Sequence, residues 1–363
     1  MKNKQEILNK IELLSKGNEP NFQININDTM AAYQHLEENR SNLTIKILPI
    51  LGVILSVLSF LGALFLLNIL NDKLNLIICG SIFLILSLYC IKKYNAIIID
   101  TASIAFYIAG GWMLIYGFDI HDLNYIFILC FIISLCTLLI VQRHLLSLLN
   151  ILGIIYSIIA LINHNYQNIL FITLINAILI ITLIYFLSHE AAVLSKRNLI
   201  STIYNPLRLG LILATVATTA FIILSHYETY NEQVNNNSFA LYILSVLYGF
   251  AILWVVYKIT SKFEITTSKV LFPTYALLIL MLGSTVINPG IACSILLILT
   301  CFNYQYRMGL SIGLISLLLS LWHFYYNLTF SLLVKSLILV ISGLLFLAIY
   351  FVINSNKINN EKI

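Results

Sequence analysis

Runs of about twenty residues, apolar on every side, recur along this chain with only short polar links between them. Such a run matches the ~30 Å hydrocarbon core of a bilayer when it is helical. Backbone amides have no water to bind at that depth, so a spanning segment must satisfy them internally. Barrel strands would alternate polar and apolar residues, and these runs do not. Of 363 residues, 60% are hydrophobic and 10% charged. A soluble domain carries about 25% charged residues, so this chain cannot cover a water-facing surface. The expected fold is all-α, a polytopic transmembrane bundle.

Twelve apolar segments are predicted, at 46–68, 74–91, 95–117, 124–141, 144–162, 168–187, 207–225, 239–257, 270–286, 290–302, 307–324 and 335–353. The tenth is short and is expected to thin the bilayer locally or to re-enter it. Lys and Arg near span ends collect on the cytoplasmic side. With residue 1 inside and the spans alternating, Arg40, Lys46, Lys92, Lys93, Arg143, Lys196, Arg197, Arg208, Lys258, Lys262, Lys269, Arg307, Lys357 and Lys362 all fall inside. Only Lys73 and Lys335 fall outside. That asymmetry demands an even number of crossings with both termini in the cytoplasm. It also gives the net charge of +5 a topological meaning and excludes a nucleic-acid partner, because no basic face forms.

The spans imply a short cytoplasmic helical tail over 1–45, a first six-helix half over 46–187, a cytoplasmic link over 188–206, a second half over 207–353 and a C-terminal tail over 354–363. Ile7, Leu8, Ile11 and Leu14 give the tail one apolar helical face. No apolar stretch typical of a cleaved signal precedes Leu43. A six-plus-six layout occurs in transporters built from repeats, although the halves share no residue-level pattern here.

Helices in lipid associate over small residues. Gly52, Ser56, Ser59 and Ala63 form such a stripe on the first span, Gly210, Ala214, Ala217 and Thr218 on the seventh, and Gly309 with Gly313 on the eleventh. Asp100 is the carboxylate placed within a span, about 8 Å from its cytoplasmic end, with Ser103, Tyr107 and Gly110 following at helical spacing. This stripe reads either as a proton or cation site or, at so shallow a depth, as a carboxylate near the headgroups. Lys335, Tyr325 and Tyr326 are expected at the outer interface with Trp322. His121, His164, His226 and His323 also fall on the outer side but share no ligand spacing, so no metal site is assigned. Six cysteines lie within apolar runs without a Cys-x-x-Cys pair and read as small hydrophobes. His189-Glu190 lacks the second histidine of a zinc-protease helix, and neither a phosphate loop nor a nucleophile elbow is present. No enzyme and no cofactor are expected.

The residue order is most distinctive from Asn288 to Ile353. It contains Asn288-Pro289-Gly290, Arg307 with Gly309, Tyr325-Tyr326, the run Leu332-Leu333-Val334-Lys335-Ser336 and Gly343-Leu344-Leu345. In these features the chain resembles a family of bacterial polytopic membrane proteins catalogued as domain of unknown function 4401. The resemblance implies an integral membrane protein working beside other membrane proteins, and it carries over no catalytic residue or substrate. The leading expectation is a structural or accessory subunit of a complex in the bacterial inner membrane, in contact with the bilayer and with other membrane proteins. The alternative is a secondary transporter or lipid exporter with its polar site around the third helix.

Overall fold

The structure, a computed structural model, describes residues 43–66, 72–94, 97–119, 122–166, 168–195, 199–228, 234–262, 275, 278, 282, 288–327 and 340. All regular structure among them is helical: α1 (Leu43–Leu66), α2 (Lys73–Lys93), α3 (Ile97–Gly117), α4 (Leu123–Ile140), α5 (His144–Tyr166), α6 (Ile169–Ser188), α7 (Glu190–Ser195), α8 (Leu199–Thr202), α9 (Tyr204–Glu228), α10 (Val234–Lys262), α11 (Pro289–Asn303) and α12 (Arg307–Asn327). Eight of these are long and apolar enough to cross a membrane, and α11 is a shorter apolar helix. The chain is a polytopic helical membrane protein. The expected tail and the expected spans 270–286 and 335–353 lie outside the described residues, apart from isolated positions.

Polar residues in the links set where the helices start. Asp122 accepts a hydrogen bond from the Asn124 amide at 2.9 Å, Asn168 from Leu170 at 3.0 Å and Asn288 from Gly290 at 3.0 Å. Each is a side-chain cap on an otherwise unsatisfied first-turn donor. Pro289 then occupies the first turn of α11, where its missing N–H costs nothing. The short tenth segment becomes a helix of 15 residues, about 22 Å long.

The chain divides into two compact units after Ile120. In the first, α2 and α3 form an antiparallel hairpin whose open end, opposite the 94–96 link, is closed by the ion pair of Lys73 with Asp119. Their backbones meet at Gly80 and Gly110. A Cβ on Gly80 would sit 2.9 Å from the Gly110 carbonyl, and one on Gly110 2.8 Å from the Gly80 carbonyl. α1 joins through Phe60, whose ring lies 6.2 Å from that of Phe83 and 6.1 Å from that of Phe106.

The second unit is built around α6, α9, α10 and α11. Ile172, Leu183, Ile212, Leu244, Ile252 and Leu296 are fully buried between them. α4 packs on α5 and α5 on α9, while α12 packs on α11. The 188–206 link, which holds α7 and α8, falls inside this unit, and α6 before it packs on α9 and α10 after it.

Candidate functional site

Of the stripe on α3, Gly110 packs directly against α2. Helix α3 starts at Ile97, so Asp100 lies in its first turn, shallower than the sequence spacing predicts, and is half-buried. A carboxylate there also meets the positive end of the helix dipole. Ser103 and Tyr107 are buried and Gly110 forms the close backbone crossing with Gly80.

The small-residue faces divide in two. A Cβ on Gly210 would lie 2.9 Å from Ile151 Cγ2 of α5, and Ala214 is buried beside it. A Cβ on Gly309 would lie 2.8 Å from Ile212 Cδ1, and one on Gly313 3.0 Å from Ile298 Cγ1. These glycines let α9, α11 and α12 approach. Gly52 differs: it is exposed, and nothing lies within 4 Å of a Cβ placed on it. Ser56 is exposed too and turns its hydroxyl back to the Gly52 carbonyl at 2.8 Å. Among the described residues this stripe meets no partner helix. Tyr325 is half-buried and Tyr326 exposed in the last turn of α12, with their rings 5.6 Å apart and Trp322 5.9 Å from Tyr326. Lys335 lies outside the described residues.

The densest buried polar cluster was not foreseen. Asn176 sits near the middle of α6 and is completely buried. Its Nδ2 donates to Thr218 Oγ1 at 2.6 Å and to Thr219 Oγ1 at 3.1 Å, with the Thr215 carbonyl at 3.4 Å. The Tyr248 hydroxyl of α10 donates to Asn176 Oδ1 at 3.0 Å and lies 2.6 Å from Thr219 Oγ1. Cys293 of α11 lies buried against Tyr248 and Thr219, so the hydrogen bonds join three helices and the cluster touches a fourth. The single Thr219 hydroxyl proton is shared between two acceptors, the Thr215 carbonyl at 2.7 Å and the Tyr248 oxygen at 2.6 Å; directed to Tyr248, it closes a ring through Tyr248 to Asn176 and Asn176 to Thr219. An asparagine at mid-span is expensive to leave without partners, and that was the available signal: one amide in the otherwise apolar run 169–188.

A second clasp lies at the other end of α9. Arg208 Nη1 donates to Glu190 Oε1 of α7 at 3.1 Å. Its guanidinium carbon stands 3.9 Å from the centre of the Tyr306 ring and 5.4 Å from that of Tyr204. The flat cation stacks on the ring face and ties the α11–α12 turn to α7 and α9. Burial raises the Tyr306 phenol above its ordinary value, and Arg208 pulls it the other way.

Beside the polar cluster lies a cavity of about 230 Å³ between α9, α11 and α12. Thr219 and Cys293 belong both to its lining and to the cluster, and Asn288, Ser316, Ser320 and His323 supply its remaining polar groups. The Asn288 side chain also donates to the Ser320 carbonyl at 3.2 Å, bracing the start of α11 against α12. Of the outer-side histidines, His323 lines this cavity and His164 is exposed, while His121 is outside the described residues.

A family model described as a domain of unknown function, DUF4401, matches residues 42–355, most of the chain. The match reaches well beyond the C-terminal stretch that carries the resemblance in sequence. No curated protein and no solved structure matches.

Proposed function

The chain belongs to the DUF4401 family, and from that premise we propose that it is a structural or accessory subunit of a complex in the bacterial inner membrane. Twelve crossings, with both ends of the sequence in the cytoplasm, fit the distribution of its Lys and Arg residues. The observation that carries the role is the mutual satisfaction of the Asn176, Thr218, Thr219 and Tyr248 side chains. Together they tie α6, α9 and α10, so the second unit is pinned as a rigid body on which other membrane proteins could assemble. The outward Gly52–Ser56 face of α1 supports the same reading, since a flat small-residue surface suits the close approach of another helix.

The test is isolation of the tagged chain from its native membrane in mild detergent after brief crosslinking. A partner membrane protein should be recovered in fixed ratio, and replacing Gly52 and Ser56 with leucine should release it. Recovery of the chain alone under both conditions would contradict the role. Transport is a second reading, favoured by the cavity against the polar cluster. It requires solute flux in reconstituted vesicles that Asn176→Leu abolishes.

A further inference from the structure

The cavity between α9, α11 and α12 has a mixed lining. Its polar groups are Thr219, Asn288, Ser316, Ser320 and His323, of which Ser316 lies 2.9 Å from the Ser294 hydroxyl and Asn288 donates to the Ser320 carbonyl. Val216, Ala220, Ile223, Leu224 and Leu319 make up most of the rest. Leu224 and Leu319 are more than half exposed. Both belong to helices long and apolar enough to cross a membrane, so these exposed leucines favour acyl chains over water at the opening. A site with exposed leucines at its opening and hydrogen-bonding groups in its lining is reached from the lipid phase.

Charge narrows the occupant. No Lys, Arg, Asp or Glu lines the cavity, and an ionised group would enter a low-dielectric site without a counter-ion. The start of α11 offers an anion little, because Asn288 Oδ1 already accepts from the Gly290 amide at 3.0 Å and the Asn288 carbonyl from Ile291 at 3.2 Å. Size narrows it further. A cavity of about 150 Å³ accommodates a benzene ring, so the 230 Å³ here holds a small headgroup with the start of its chain.

We propose that this cavity binds the uncharged, hydrogen-bonding head of a membrane-soluble amphiphile, such as a hydroxyl or amide on an aliphatic chain, with the chain leaving past Leu224 and Leu319. The site is independent of the subunit role, since it needs no partner protein.

The test uses the purified full chain in lipid nanodiscs and a photoactivatable long-chain alcohol, with the labelled residues located by mass spectrometry. Labelling over 216–224 and 316–323 should saturate, and unlabelled long-chain alcohol or primary amide should compete at least about tenfold better than the alkane or the fatty-acid anion of equal length. Ala220→Phe, which fills the mouth, should reduce the saturable labelling about tenfold without changing the thermal midpoint. Labelling that never saturates, or alkane and anion competing as well as the alcohol, would overturn the proposal. These competitions are read on the unaltered chain and do not depend on the variant folding.

Discussion

Replacing Asn176 by leucine removes the amide at the centre of the second unit while keeping its branched outline, with two larger methyls in place of the amide oxygen and nitrogen. The amide donates at 2.6 and 3.1 Å to two threonines of α9 and accepts at 3.0 Å from Tyr248 of α10. Side-chain hydrogen bonds between membrane helices average about 0.6 kcal/mol and reach about 1.7. Three of them therefore contribute about 2 kcal/mol. The variant leaves few orphaned groups. Thr218 still donates to the Ala214 carbonyl at 2.8 Å, Thr219 to the Thr215 carbonyl at 2.7 Å, and Tyr248 keeps Thr219. The loss should therefore stay near this value rather than grow by a desolvation penalty. Titration with a denaturing detergent, followed by the fluorescence of Trp254 on α10, measures it. A cycle with Tyr248→Phe should show a coupling of about 0.6 kcal/mol. If Asn176→Leu lies within about 0.5 kcal/mol of the parent, or the two changes simply add, the amide does not hold these helices together.

Other substitutions separate packing faces from idle ones. Gly80→Ala drives a Cβ to 2.9 Å from the Gly110 carbonyl and should cost about 1–3 kcal/mol, seen as protease sensitivity of the α2–α3 hairpin. Gly52→Ala meets nothing and should be neutral or stabilise by up to about 1 kcal/mol through helix propensity. Arg208→Met loses a stacked cation and a partly exposed ion pair; about 2 kcal/mol is expected, and Tyr306→Leu should lower the thermal midpoint in the same direction. Asp100→Asn removes a first-turn charge alone and should change stability by less than about 1 kcal/mol.

Membrane residence and the approximate bounds of most described spans were legible in the sequence, because twenty apolar residues and a polar link leave few alternatives. Faces were not. Helices such as α6 and α12 are apolar all round, so periodicity does not distinguish a lipid side from a protein side. Gly52 and Ser56 make as regular a stripe as Gly309 and Gly313, yet only the second pair is buried in the structure. The Gly80–Gly110 crossing pairs one glycine from each of two helices, which no spacing within a single helix reveals. Asp100 drew attention because it is charged, whereas Asn176, Thr219 and Tyr248 are modest polar residues scattered over three spans. They become a site only when α6, α9 and α10 converge.

The threading of the chain decides which polar group faces which compartment. Paired fluorescent and periplasmic-phosphatase reporters, fused in turn at residue 363 and in the link between α3 and α4 that follows Asp119, measure it directly. The account predicts fluorescence without phosphatase activity at residue 363, and phosphatase activity without fluorescence in the α3–α4 link. The opposite pattern at either position would contradict it.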